Sequence, residues 1–149
     1  MPSTHTSLHY HLIFATHDRE NRLAPAWRDR LFAYLGGAVR AADGVAEIVG
    51  GVADHVHLLL SLKPTHRIAD VVRDIKRSSS TWIRQSFDFN ADFRWQEGYG
   101  AFTVSASACD AVRDYISRQE AHHQHRSFRD ELVDLLEKSG VGFDPRFLD

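Results

Sequence analysis

The chain of 149 residues has a net charge of −2 and is 43% hydrophobic, which predicts one globular domain over residues 1–149 and no membrane span. Its first residues show no signal-peptide pattern, and Cys109 is the only cysteine, which excludes an internal disulfide and a cysteine-based zinc site and fits a reducing, cytoplasmic environment. The charge balance does not point to a nucleic-acid partner, and the unusual feature of the composition is its ten histidines.

The first half of the chain is predicted to contain three strands and one long helix. Residues 8–16 are rich in aromatic and branched side chains, which favour a strand. Pro25 suits the first turn of a helix that is predicted to end near Gly44. Residues 45–52 and the segment that begins at His55 are predicted to form a hairpin with a tight turn between them.

The second half completes a recognisable order of elements. A second long helix is predicted over residues 66–87, from its apolar stripe, and an extended segment over residues 93–105 ends in a further strand. Strand, helix, strand, strand, helix, strand is the ferredoxin-like βαββαβ order. It predicts an α+β fold with an antiparallel sheet, whose second face is free for a ligand, a partner or a further helix.

Additional helices are predicted after the last strand. One begins near Ala108, with Ser107 and Asp110 as a capping box, and the other follows a second cap formed by Ser127 and Asp130. The last of these is a short amphipathic helix that ends at a glycine.

A His-x-His pair begins the strand of the predicted hairpin. Side chains alternate along a strand, so His55 and His57 share one face, whereas Val56, Leu58 and Leu60 form an apolar face on the other side. The two histidine backbone positions are about 7 Å apart, which suits two ligands of one metal ion. Taken alone, the pair is more often two polar positions on an exposed sheet face.

The polar side of the helix predicted over residues 66–87 is basic. Its candidate contacts to DNA phosphates are Arg73, Lys76, Arg77 and Arg84. The alternative interpretation is a solvated helix face.

Several segments together resemble the single-tyrosine HUH transposases of the insertion-sequence 200/605 group, including those associated with repetitive extragenic palindromes (REPs). The matching segments are residues 10–14 (YHLIF), 54–59 (DHVHLL), 74–79 (DIKRSS), 95–102 (WQEGYGAF) and 115–120 (YISRQE), with 122–123 and 128–136 closing the pattern. Each motif alone is weak, but the set spans nearly the whole chain in the order and spacing of the family.

The resemblance implies an enzyme that cleaves and rejoins single-stranded DNA through a 5′-phosphotyrosine intermediate. It implies Tyr115 as the nucleophile, on a C-terminal helix, with His55, His57 and Gln119 as metal ligands. Tyr115 and Gln119 are four positions apart and are therefore expected to be neighbours on one helical face. The resemblance also implies a homodimer that binds DNA with a hairpin. Mg²⁺ or Mn²⁺ would fit the ligands, and the histidines favour manganese.

Three other histidines lie near these motifs. His11 belongs to a strand that is expected beside the His-x-His strand, where it could approach the site, although a structural role is favoured. His122 and His123 are interpreted as solvated positions at a helix end, and the alternatives are a supporting role in the site or a contact with DNA.

Two other functions remain open from the residues. A metal-dependent phosphoesterase would use the His-x-His pair, but the related nucleotide hydrolases have a third histidine where this chain has Leu59. A non-catalytic module that binds single-stranded or hairpin nucleic acid would keep the fold without the chemistry. The presence of Tyr115 and Gln119 argues only mildly against such a module.

Overall fold

A computed structural model describes residues 3–123 and 126–148, with only the backbone of His122. In this part of the chain, one antiparallel sheet has the strand order β2-β3-β1-β4. Its strands are β1 (His9–Ala15), β2 (Val45–Gly51), β3 (His55–Ser61) and β4 (Gly100–Val104). The helices are α1 (Pro25–Ala41), α2 (Ile68–Ser86), α3 (Cys109–Ser117), α4 (Gln119–His123) and α5 (Phe128–Lys138). The predicted ferredoxin-like α+β fold with additional C-terminal helices is confirmed.

The main core lies between one face of the sheet and the helices α1 and α2. Alternate residues of β1 and β3 supply it from the sheet, and both helices contribute an apolar stripe. Each large aliphatic side chain buried here stabilises the fold by about 1.5–3 kcal/mol. The fully buried residues of the main core include Leu12, Phe14, Leu31, Leu35, Leu58, Leu60, Ile75 and Ile83.

The opposite face of the sheet is covered by the C-terminal helices. Ile13 and Ala15 of β1 pack with Phe128 and Leu132 of α5, and Leu59 of β3 packs with residues of α3. The face that the topology leaves free is therefore filled by further helices. No helix within residues 3–123 and 126–148 is long and apolar enough to span a membrane.

The two predicted helix caps have different outcomes. The predicted capping box before α3 is wrong, because Ser107 lies inside a short 3₁₀ turn and its hydroxyl contacts that of Ser105 at 3.2 Å. A cap residue needs extended backbone, which this turn excludes. The cap of α5 is confirmed, because Ser127 is extended and its Oγ accepts a hydrogen bond from the Asp130 amide at 3.1 Å.

The helix that carries the tyrosine ends earlier than predicted. α3 stops at Ser117, and Arg118 follows with φ −107° and ψ 25°, outside the helical region. The Arg118 amide donates to the Tyr115 carbonyl at 3.2 Å, which closes the last turn. The expectation that Tyr115 and Gln119 share one continuous helix is therefore wrong. The break redirects the chain so that Gln119 begins α4 and becomes buried.

Candidate active site

The central strand β3 holds both histidines of the His-x-His pair against the C-terminal helices. The predicted alternation is confirmed, because His55 and His57 lie on the face opposite the main core, with their ring centroids 5.1 Å apart. Both side chains are fully buried. The interpretation as two polar positions on an exposed sheet face is excluded.

The Nδ1 atoms of these histidines are held by neighbouring side chains. His55 Nδ1 donates to Asp54 Oδ1 at 2.7 Å, and His57 Nδ1 shares a hydrogen bond of 2.7 Å with Nε2 of His11. His11 therefore supports the site directly, in addition to any structural role. Burial lowers the pKa of His57 to about 4 and that of His11 to about 3, so both are neutral at pH 7, the form that binds metals. The Nε2 atoms of His55 and His57 face the C-terminal helices.

The helix α4 brings an amide and a third imidazole to these atoms. Gln119 Oε1 lies 3.3 Å from His55 Nε2 and 3.1 Å from His123 Nε2. The interpretation of His123 as a solvated position is wrong, because α4 turns its ring toward the site, beside the Gln119 side chain, and leaves it only 11% exposed. The side chain of His122 lies outside the described residues.

Glu131 of α5 was not identified from the sequence. Its Oε1 atom lies 2.9 Å from His57 Nε2 and 3.1 Å from the Nε2 atoms of both His55 and His123. Burial alone would raise the pKa of this carboxyl, but hydrogen bonds from the three imidazoles hold it well below its usual range. Glu131 is only 2% exposed, and it is ionised at the centre of the site.

The second oxygen of this carboxylate contacts the candidate nucleophile. The Tyr115 hydroxyl donates to Glu131 Oε2, and the Gln119 side-chain amide donates to the same oxygen at 3.2 Å. Burial and the hydrogen bond to Glu131 raise the pKa of Tyr115 well above its usual value. The Tyr115 ring stands edge-on to that of His57, with the centroids 5.9 Å apart. The tyrosine and the histidine pair of this chain thus lie at the same site.

Two sequence signals could have identified the additional residues. Gln119 and His123 are four positions apart, which is one helical turn. Glu131 lies within the apolar stripe that Phe128, Leu132 and Leu135 define on α5, and a charged residue in such a stripe needs a buried partner.

The donor atoms fit a single divalent cation. The Nε2 atoms of three histidines and one carboxylate oxygen of Glu131 all lie within 4.8 Å of one another. Imidazole nitrogen and carboxylate oxygen suit first-row divalent ions, including manganese. Partners at the outer nitrogens of His55 and His57 resemble those that orient histidine ligands in metal sites.

The four basic residues of α2 that are predicted to contact DNA have different contacts in the structure. Lys76 Nζ donates to the carbonyl oxygens of residues 96–98 at 2.6, 3.3 and 2.9 Å. Arg84 donates to the Phe93 carbonyl at 3.0 Å. Both side chains thus anchor the segment before β4. Arg73 is exposed and pairs with acidic neighbours on its own helix.

Arg77 is the member of this group that is free to contact a ligand. It is exposed and forms no ion pair with the described residues. Arg77 lines a groove of about 360 Å³ between α2 and the segment before β4, together with Arg94 and Tyr99. A contact between this groove and DNA stays a prediction.

Comparison with known proteins assigns the family. Residues 4–119 match the family described as "Transposase IS200 like". The chain is 27% identical to a "putative transposase" from Deinococcus radiodurans R1, with a TM-score of 0.65 over 80% of this chain and 95% of that structure. It shares the fold of a REP-associated tyrosine transposase bound to a REP hairpin, at 13% identity and a TM-score of 0.60 over 83% of this chain and 74% of that one. No curated protein matches the sequence.

The segment that matches the family contains the four residues to which the resemblance assigns catalysis and metal binding. It includes the His-x-His strand and the tyrosine helix, and it ends at Gln119. The chain therefore belongs to the IS200-like transposase family.

Proposed function

We propose that this transposase cleaves and rejoins single-stranded DNA with Tyr115 as its nucleophile. The observation that carries the proposal is the contact of the Tyr115 hydroxyl with a buried cluster that contains His55, His57 and Gln119. A tyrosine at the end of a short helix, beside convergent metal-binding groups, has the arrangement that covalent phosphoryl transfer needs.

The reaction exchanges one phosphoester bond for another. The Tyr115 oxygen bonds to phosphorus while the bond from phosphorus to the 3′ oxygen breaks. The tyrosine proton leaves and the 3′ oxygen gains a proton, which gives a 5′-phosphotyrosine and a free 3′-hydroxyl. A 3′-hydroxyl then attacks the phosphotyrosine, so that joining needs no ATP because the bond energy is retained.

We propose His55, His57 and Gln119 as ligands of a divalent ion. When bound, the ion would neutralise and orient the scissile phosphate. The protein holds the two imidazoles on a central strand with their outer nitrogens occupied, which keeps their inner nitrogens directed at one point. Manganese suits this nitrogen-rich set better than magnesium, which prefers oxygen ligands.

We propose single-stranded DNA that carries a hairpin as the substrate. Support comes from the structural relative, which was solved with a REP hairpin. The groove lined by Arg77 and Arg94 provides positive charge beside an aromatic ring, Tyr99, a combination that suits a nucleic-acid backbone and its bases. Arg73, Lys76 and Arg84 would add to the local potential. A homodimer stays a prediction.

A covalent-adduct assay tests the proposal. Hairpin-bearing single-stranded DNA incubated with the protein and Mn²⁺ or Mg²⁺ should yield a protein–DNA adduct. Tyr115→Phe and His57→Ala should abolish it, whereas Tyr34→Phe, at a tyrosine of α1 that stacks on Trp82 away from the site, should retain it. Cleavage that persists in Tyr115→Phe would mean that water is the nucleophile, as in a phosphoesterase. Binding without cleavage by the unaltered protein would indicate a binding module.

A further inference from the structure

We propose that Glu131 and His123 complete the metal site, and that Glu131 also positions the nucleophile. This inference rests on the proposed function and extends its site beyond the residues that the family comparison covers, since the matched segment ends at Gln119. It assigns a direct role in the chemistry to the helix α5.

The first argument is the convergence of donors on one carboxylate oxygen. Glu131 Oε1 lies 2.9–3.1 Å from the Nε2 atoms of His55, His57 and His123. The outer nitrogens of His55 and His57 already have partners. The atoms that remain for a cation are therefore the same atoms that surround Glu131.

The second argument is the lack of a permanent cation beside a buried carboxylate. Glu131 is 2% exposed, and among the described residues its ion-pair partners are imidazoles alone, with no lysine or arginine. A buried charge is costly unless it is paired or coordinates a metal. A divalent ion between Glu131 and the histidines supplies a permanent positive charge, which imidazoles do not.

The third argument is the bridge from this cluster to Tyr115. One oxygen of Glu131 faces the histidines, and the other accepts the hydrogen bond of the Tyr115 hydroxyl. Gln119 donates to that second oxygen at 3.2 Å and so orients the carboxylate. Glu131 thus holds the attacking oxygen beside the cation site.

The position of α5 is set by packing that does not depend on a ligand. Phe128 and Leu132 pack on Ile13 and Ala15 of β1, and the Phe128 ring lies 4.7 Å from that of His55. These contacts hold Glu131 over the sheet. The Glu131 carboxylate is therefore held in place by the fold before a metal binds, and a precise metal site requires ligands that are held in this way.

Mn²⁺ titration of the full chain by calorimetry tests the ligand role. Glu131→Gln and His123→Ala should each weaken Mn²⁺ binding at least ten-fold, the loss that removal of a ligand's supporting partner already causes. Glu137→Gln, at an exposed position of the same helix, should bind as the unaltered protein does. Unchanged or tighter binding by Glu131→Gln would overturn the proposal, because the carboxylate would then be inert or a competitor of the metal.

A spectroscopic measurement on the unaltered protein removes any dependence on variant folding. Pulsed electron paramagnetic resonance of bound Mn²⁺ should detect three coordinated imidazole nitrogens, and two in His123→Ala. Two nitrogens in the unaltered protein would exclude His123 as a ligand.

The positioning role is measured by adduct formation at saturating Mn²⁺. Glu131→Gln should remain slow there, whereas Glu131→Asp, which retains the charge, should recover part of the rate. Full activity of Glu131→Gln at saturation would refute this role. If Mn²⁺ binding depends on Glu131 but the unaltered protein forms no adduct, the proposed function fails while the ligand assignment stands.

Discussion

Gly50 is a point of close approach between the sheet and the tyrosine helix. It pairs with His57 across β2 and β3, and a Cβ atom added to it would lie 2.6 Å from the Ile116 carbonyl oxygen and 2.9 Å from Ile116 Cγ2. Carbon–oxygen contacts are about 3.3 Å or longer even when they are attractive. An alanine at this position must therefore push the backbone next to Tyr115 away by about 0.7 Å.

This displacement sets the size of the expected effects of Gly50→Ala. Overpacking of this kind costs about 1–3 kcal/mol in the free energy of unfolding. A shift approaching 1 Å in a reacting group reduces a rate by up to about 100-fold, so adduct formation should slow by tens of fold. Urea unfolding and single-turnover adduct formation measure the two quantities on the same preparation.

A matched glycine substitution provides the control. A Cβ at Gly37 on α1 would meet only the flexible end of Arg40, at 3.7 Å. Gly37→Ala should stabilise the protein by up to about 1 kcal/mol through helix propensity and leave the rate unchanged. If Gly50→Ala retains both the stability and the rate of the unaltered protein, the close approach of α3 to β2 does not set the position of Tyr115.

Three further predictions concern a helix cap, a DNA contact and pH. Ser127→Ala should cost about 1 kcal/mol in urea unfolding, because it removes the cap of α5; an unchanged midpoint would argue against that cap. Arg77→Ala should weaken hairpin DNA binding and lower the salt slope of the affinity by about one, without altering stability. An unchanged slope would exclude a phosphate contact. Burial lowers the pKa of His57 from 6.5 to about 4, so below pH 6.5 the unfolded chain binds a proton that the folded chain does not. The contribution of His57 to the free energy of unfolding without metal should therefore fall, by up to about 3 kcal/mol, as the pH drops from 6.5 to 4. His57→Ala should remove this part of the pH dependence, and an unchanged slope in that variant would contradict the burial.

Local patterns predicted the fold well because each pattern reports a local property of the backbone. The alternation around His55 and His57 identified the face of β3, since side-chain direction in a strand depends only on position. The order of strands and helices then restricted the topology to one common arrangement. The sequence did not reveal the helix break at Arg118, because no proline or glycine marks it.

The missed site residues depend on contacts between distant segments. Glu131 reaches His57 across 74 positions of the chain, and no periodic pattern relates positions that far apart. The charge of Lys76 predicts a DNA contact, which stays a prediction, but it does not predict that the ammonium group meets three carbonyl oxygens of a segment about twenty positions away. Charge and amphipathicity predict which side of a helix is polar, and tertiary packing decides what that side contacts.

The location of the site follows from how the two faces of the sheet are used. One face of the sheet is covered by the main core under α1 and α2. The polar groups of the site therefore lie on the other face of the sheet. There, β1 and β3 supply His11, His55 and His57 from a rigid hydrogen-bonded backbone. The C-terminal helices supply Tyr115, Gln119 and Glu131. Because α5 both covers the apolar surface of β1 and carries Glu131, the packing of this helix on the sheet also fixes the position of the carboxylate in the site.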